Sequence, residues 1–199
     1  MPSTFSSKTK EKIIRTAFKT FADRGYRSVT MRFIASKCNM TVSSLYHHFS
    51  SKNDLYDQVL NYVYSENSNF WSIPIEARGE TWQEQLKSYI YTFCQIMHNQ
   101  PDYTQLLKRE QLHGDPQRMK KLASSLLADE YFGFEKLIKK INPHCEPHIY
   151  VMTILGMSLH YYETTHFRRH LPDYSLRLDN PEIVAEQISN LLINGISCP

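Results

Sequence analysis

The sequence predicts an all-α protein of about nine helices, and three observations carry that prediction. Apolar residues recur with helical spacing in successive segments, and no segment shows the alternation of a half-buried strand. The 199 residues include only 6 glycines, which argues against an all-β fold with many tight turns. Hydrophobic residues make up 41% of the chain, which is enough apolar surface for a packed core and too much for a disordered chain.

The first two predicted helices have clear ends. Residues 8–24 place Ile13, Phe21 and similar side chains on one face and so predict an amphipathic helix. Gly25 follows it and can adopt the left-handed conformation of a helix end. Thr30 then caps a short second helix through its side-chain hydroxyl.

The third and fourth helices are also predicted from their starting residues. Asn39 suits a left-handed turn position, and Thr41 caps a helix that runs to about residue 49. Ser51-Lys52-Asn53-Asp54 has the pattern of a capping box. It predicts a fourth helix that ends near residue 70.

Five more helices are predicted beyond a connector at residues 72–80, which contains Pro74 and Gly79. Prolines mark most of the later boundaries, because proline is favoured in the first turn of a helix and disfavoured in its interior. The predicted helices cover residues 81–100, 101–112, 116–141 and 148–169, and a last one begins at Pro181.

The positive charge is concentrated at one end of the sequence. The formal net charge of the whole chain is +3, but residues 1–60 hold 10 basic and 4 acidic side chains. The remaining residues carry a net charge of −3. This asymmetry favours a polyanionic partner for the amino-terminal third, although a solvated basic face without a partner has the same composition.

Residues 30–49 meet the steric requirements of a helix-turn-helix, in which the second helix enters the major groove of DNA. Ala35 is small where the two helices would cross, and Asn39 occupies the turn. Cys38 and Leu45 can fill the small core between the helices. An ordinary helical hairpin inside a larger bundle would show the same spacing, but the local positive charge favours the DNA-binding interpretation.

Specific motifs in this region resemble the DNA-binding region of the TetR family of bacterial transcriptional regulators. They are F-A-x-x-G-Y-x-x-x-T at 21–30, I-A at 34–35 and L-Y-H-H-F-x-S-K-x-x-L at 45–55. The rest of the chain resembles the family only in length and helical layout. The resemblance implies a helix-turn-helix DNA-binding domain at residues 1–55 and a helical effector-binding and dimerisation domain at residues 56–199.

The resemblance also implies roles for individual residues on DNA. The start of the second helix would contact phosphate, the first turn of the third helix would read base edges, and Lys52 would add a cation at the start of the fourth. Val42 and Ser43 stand where family members often carry Lys and Gly. Lys8, Lys10 and Lys12 form either a flexible arm on DNA or a solvated tail. The expected DNA-binding residues are Thr30, Arg32, Thr41, Val42, Ser43, Ser44, Tyr46, His47 and Lys52.

The region after residue 75 is expected to form a homodimer and to bind a small-molecule effector of unknown identity. Residues 148–169 are apolar nearly all round, which suits a four-helix bundle formed with the last helix and their counterparts in a second copy. The same helices could instead complete the core of the monomer. Candidate ligand-binding residues, each of which could also be ordinary core, are Tyr89, Phe93, Met97, Tyr103, Leu106, Phe132, Met152 and Tyr162.

Other classes of function find little support in the sequence. It contains no GxGxxG, P-loop, HExxH or GxSxG motif, so we expect no enzyme activity and no cofactor. The scattered cysteines and histidines lack a paired metal-binding motif, and no disulfide framework or metal is expected. The short apolar runs predict no membrane-spanning helix, and the polar amino terminus predicts a cytoplasmic protein.

The main hypothesis is therefore a transcriptional repressor that binds double-stranded operator DNA as a dimer and is released by a small molecule. A DNA-binding protein without an effector and, less favoured, a helical enzyme are the alternatives.

Overall fold

A computed structural model describes residues 4–71, 78–113, 115–125 and 128–196. Within these ranges the chain forms eleven α-helices and a short 3₁₀ helix, η1, and no strand. The first six helices are α1 (Thr4–Arg24), α2 (Met31–Lys37), α3 (Val42–His48), α4 (Lys52–Trp71), α5 (Trp82–Asn99) and α6 (Pro101–His113). The later elements are α7 (Pro116–Ser125), α8 (Ala128–Ile141), α9 (Pro147–Glu163), α10 (Thr165–Arg168), η1 (Leu176–Asp179) and α11 (Pro181–Ile196).

The all-α prediction is confirmed, with two differences in the helix boundaries. The helix predicted over residues 116–141 is two helices, α7 and α8, and residues 126 and 127 between them lie outside the described ranges. The helix predicted over 148–169 is also divided, into α9 and α10. Gly114 and most of the predicted connector at 72–80 also lie outside the described ranges.

The break between α9 and α10 has a local chemical cause. The hydroxyl of Thr164 donates to the carbonyl of His160 at 2.7 Å, and that of Thr165 donates to the carbonyl of Tyr162 at 2.7 Å. Hydroxyl groups that bond back to the preceding turn compete with the backbone ladder and bend helices. Two consecutive threonines therefore end α9 before the predicted residue.

The first compact unit lies within residues 1–67 and 105–114. Phe21, Ile34, Leu45 and Leu55, one from each of the first four helices, are fully buried in it. The unit continues beyond the predicted functional boundary after residue 55, because the carboxy-terminal half of α4 and part of α6 share its core.

Two neighbouring residues of α6 bind the rest of this first unit. The guanidinium of Arg109 donates to the carbonyls of Ala22 and Asp23, each at 2.7 Å, at the end of α1. Those carbonyls have no partner within their own helix, so the side chain caps α1. Beside it, the Tyr56 hydroxyl donates to the buried carboxylate of Glu110 at 2.7 Å.

The second compact unit lies within residues 68–104 and 115–199. Helix α5 packs against α11 and α9, and α8 packs against α9. The core is formed by apolar side chains at helical spacing, with Tyr89 of α5 stacked on Phe134 of α8 at 4.2 Å between ring centroids. None of the helices in the described ranges is both long and apolar enough to cross a membrane.

Helix α9 buries only one of its faces in this unit. Val151, Ile154, Ser158 and Tyr162 form the buried stripe. On another face Ile149 and Met152 are 62% and 51% exposed, and a side chain at Gly156 would meet open space. The apolar composition of this helix therefore exceeds what its own chain covers.

Candidate DNA-binding site

The turn between α2 and α3 is fixed by backbone hydrogen bonds. Asn39 has a φ of 57°, in the left-handed region that the sequence predicts for it. Its N–H donates to the carbonyl of Ser36 at 3.1 Å, and the N–H of Met40 donates to the carbonyl of Ala35 at 3.0 Å. This pair of bonds is a Schellman motif, which ends α2 and sets the direction of the chain into α3.

Threonine side chains cap both helices, as the sequence predicts. The Oγ1 of Thr30 accepts from the N–H of Phe33 at 3.2 Å, and the Oγ1 of Thr41 accepts from the N–H of Ser44 at 3.1 Å. Both threonines have extended backbones, as N-cap residues require. The caps fix where each helix begins and which way its first turn faces.

Helix α3 divides its residues between core and solvent. Leu45 is fully buried and Phe49, which follows the helix, is 1% exposed. Tyr46 is 49% exposed, and His47 beside it is also exposed. The first turn and its cap follow the same division, with Thr41 and Ser43 exposed and Val42 and Ser44 half-buried.

The exposed surface includes the second-helix residues that the resemblance implicates. Thr30 and Arg32 are both exposed at the start of α2. Together with the outward residues of α3 they form one surface of the helix-turn-helix, which we call the reading face. It is defined by Thr30, Arg32, Thr41, Val42, Ser43, Ser44, Tyr46 and His47.

The start of α4 is built around Asp54 and Ser51. The Ser51 hydroxyl accepts from the N–H of Asp54 at 3.0 Å, as the predicted capping box requires. The Asp54 carboxylate, however, accepts from the N–H and hydroxyl of Ser50 rather than from the N–H of Ser51. A hydrogen bond from Gln58, with those from Ser50, holds the pKa of Asp54 below its usual value, so this carboxylate stays charged.

Lys52 at the start of α4 rests on an aromatic side chain. Its Nζ lies 4.1 Å from the ring centroid of Tyr26, whose hydroxyl is hydrogen-bonded to the side chain of Asn53. The cation is therefore held in place by a cation–π contact. Tyr26 is a supporting residue that the sequence did not single out, although it belongs to the motif at 21–30.

Further cations contact aromatic rings in this unit. The guanidinium of Arg24 lies 4.4 Å from the ring centroid of Phe33, and Nζ of Lys37 lies 5.7 Å from it. Lys8, Lys10 and Lys12 lie on α1. The prediction of a flexible arm is wrong for these lysines, and Lys10 instead lies 5.5 Å from the ring of Phe49.

The predicted ligand residues fall into three groups. Tyr89, Met97, Tyr103 and Tyr162 are buried in the second unit, and Phe93 of the same unit is half-buried. Phe132 and Met152, however, are 62% and 51% exposed, so the structure places neither in the helical interior.

The third group is a single residue, Leu106, which is buried in the first unit rather than in the second. No ligand-binding role is tested by these positions, and each remains a prediction. Among the described residues, no three His, Cys, Asp or Glu side chains come together as a metal site.

Comparison with known proteins places these features in a family. Residues 13–59 match the family model described as "Bacterial regulatory proteins, tetR family". The match spans α2, α3 and the turn between them, with most of α1 and the start of α4.

Two relatives match the amino-terminal part of the chain. The HTH-type transcriptional regulator YerO of Bacillus subtilis is 30% identical over 112 residues, which are 56% of this chain and 39% of that protein. IcaR of Staphylococcus aureus, a negative transcriptional regulator of a biofilm operon, is 36% identical over 75 residues, which are 34% of this chain and 40% of that protein. The matched region spans less than half the length of either relative.

A likeness in fold extends over nearly the whole chain. AibR, whose structure was solved in complex with isovaleryl coenzyme A and operator DNA, aligns with a TM-score of 0.67 and 20% identity. The alignment covers 92% of this chain and 97% of AibR. At this identity the likeness concerns the fold, while the motifs and the family match concern the sequence. The chain therefore belongs to the TetR family of bacterial regulatory proteins.

Proposed function

We propose that this chain is a transcriptional repressor that binds a near-palindromic operator as a homodimer and is released by a small-molecule effector. Residues 1–55 carry the DNA-binding function in this proposal, and residues 56–199 carry effector binding and dimerisation. Each protomer inserts α3 into the major groove of one half-site.

The reading face is the observation that carries the proposal. Two capped helices joined by a fixed turn present Arg32, Tyr46 and hydroxyl side chains outward, while Leu45 and Phe49 anchor the same elements in the core. Arg32 and Lys52 supply cations for phosphate, and the serines of α3 can donate to or accept from base edges. Val42 can contact the methyl group of a thymine.

The exposed apolar face of α9 supports the homodimer. Ile149 and Met152 lie on it, and Gly156 leaves space for close approach of another helix. Leu191 of α11, which packs against α9, is 64% exposed. A second copy related by a twofold axis would cover these residues with its own α9 and α11.

Effector release and repression are supported by the relatives. IcaR is named a negative regulator, and AibR was crystallised with both an acyl coenzyme A and operator DNA. In this chain an effector would act by binding more tightly to a conformation with low DNA affinity, which shifts the population toward that conformation.

DNA binding can be tested with duplexes from the region upstream of the gene, by fluorescence anisotropy at several salt concentrations. We expect Tyr46→Ala to lower affinity for this DNA. Arg32→Ala should reduce the slope of log K against log salt by about one phosphate contact. Lys87→Ala is the matched control, because Lys87 is an exposed cation of the second unit. Equal slopes for wild type and Arg32→Ala would argue against the reading face.

A further inference from the structure

Among the described residues, three buried side-chain polar atoms lack a hydrogen-bond partner, and all three belong to residues 162–168. They are Oη of Tyr162, Oε1 of Glu163 and Nη1 of Arg168. A buried polar atom without a partner is costly, and each such atom in a native protein requires an explanation.

Arg168 has an explanation within the protein. Its Nη2 lies 2.7 Å from the carboxylate of Asp179, and its guanidinium stacks on the ring of Tyr161 at 3.9 Å. The charge of this side chain is therefore balanced by a neighbour. Tyr162 differs, because its hydroxyl is its only polar group and the residue is only 8% exposed.

The surroundings of Tyr162 are polar but uncharged. Cys94 of α5 and Ser158 of α9 are buried near it. Burial raises the pKa of the Cys94 thiol to about 11 and also raises that of Tyr162, so both keep their protons at neutral pH. Ser158 already donates its hydroxyl proton to the carbonyl of Ile154 at 3.1 Å.

A water molecule would be poorly held at this position. Buried waters make about three hydrogen bonds, whereas Tyr162 offers one strong donor and Cys94 only a weak one. The other groups beside the phenol ring are aromatic, with Tyr161 at 5.7 Å and His98 at 6.2 Å between ring centroids. His98 is exposed, so a single side chain in contact with the phenol ring faces solvent.

We propose that the Tyr162 hydroxyl, between α5 and α9, donates a hydrogen bond to a neutral oxygen of an otherwise apolar small molecule. The ligand class is an uncharged carbonyl, ether or hydroxyl compound. A carboxylate or an ammonium group would have to leave water for a site that holds no unpaired opposite charge, which disfavours both. This inference rests on the proposed effector-binding function and specifies the chemistry of its ligand.

Three eight-carbon probes test the ligand class on the full chain: 2-octanone, octanoate and n-octylamine. We expect 2-octanone to bind and to raise the melting temperature, and the two charged probes to bind at least about tenfold more weakly. Failure of 2-octanone to bind, or equal or tighter binding of a charged probe, would overturn the proposal.

Tyr162→Phe tests the residue itself. We expect it to weaken 2-octanone binding about tenfold, the effect of one hydrogen bond, and to leave the melting temperature of the ligand-free protein unchanged or higher. Tyr91→Phe is the control, because the Tyr91 hydroxyl accepts from Gln95 at 2.7 Å, away from the site. A drop of several degrees for ligand-free Tyr162→Phe would overturn the proposal, because it would show that the hydroxyl already has a partner.

These titrations contain no DNA, so their failure leaves the operator-binding proposal intact. Conversely, absence of DNA binding by wild-type protein would contradict the proposed repressor and leave the ligand result standing.

Discussion

Asp179 lies at the centre of a hydrogen-bonded cluster that closes the loop between α10 and α11. It accepts from Tyr174 at 2.6 Å, from Arg168 at 2.7 Å and from Arg169 at 2.8 Å. Burial alone would raise the pKa of this carboxyl group, but these three donors outweigh it and lower the pKa to about 2. The cluster therefore depends on the ionised form of Asp179.

Asp179→Asn should lower the free energy of unfolding by about 2 kcal/mol at pH 7, from the difference between folded and unfolded pKa values. The lowered pKa means that this stabilisation is complete above the unfolded value of 3.8 and is lost as the pH falls toward 2. Urea unfolding measures both effects. Asp173→Asn, at an exposed position of the same loop, is the control. Equal stability of Asp179→Asn and wild type at pH 7 would show that the cluster contributes nothing.

Residues whose role is set by their immediate neighbours were predictable. The two caps, Thr30 and Thr41, and the left-handed Asn39 follow from local hydrogen bonding and backbone sterics. Arg109 was not predictable, because its partners at Ala22 and Asp23 are more than eighty positions away in the sequence. No local pattern marks such a contact.

At the scale of elements, α3 is a seven-residue helix whose position depends on its ends. Thr41→Val keeps the size of the side chain and removes the acceptor for the N–H of Ser44, so we expect a loss of about 1 kcal/mol in stability. Thr41→Ser restores the hydroxyl and should recover most of that loss. Chemical denaturation followed by circular dichroism measures it. A Thr41→Val variant as stable as Thr41→Ser would rule out the cap as a source of stability.

The exposed face of α9 gives a second prediction for an element. Met152→Asp places a charge on the proposed dimer surface, and a buried unpaired charge strongly opposes association. We expect sedimentation equilibrium to show monomers for this variant at concentrations where wild type is dimeric. Leu112→Asp, also at an exposed apolar residue but in the first unit, should leave the dimer intact. A dimeric Met152→Asp would place the interface elsewhere.

The sequence predicted the existence of α9 better than its end or its environment. Its apolar composition identified a helix that needs cover on several sides, whereas the structure shows which face its own chain leaves exposed. The end was misplaced because the back-bonding of Thr164 and Thr165 depends on rotamers that periodicity does not report. Phe132 and Met152 were grouped with buried ligand candidates because spacing alone does not distinguish the inner from the outer apolar face.

At the scale of the whole molecule, the charge distribution agrees with the position of the reading face. The excess of basic residues lies in residues 1–60, and the reading face and Lys52 lie in the same segment. Several of these cations rest on aromatic rings, as Lys52 does on Tyr26 and Arg24 on Phe33. Such contacts restrict the side chains before DNA arrives, so less conformational entropy is lost on binding.

The most direct test of the central claim is a hydroxyl-radical footprint of the wild-type protein on DNA from upstream of its gene. A dimer that places one α3 in each half-site should protect two segments on one face of the duplex. Their centres should be one helical turn apart, about 34 Å, or a multiple of that distance. A single protected segment, or no protection at low salt where phosphate contacts are strongest, would contradict the account.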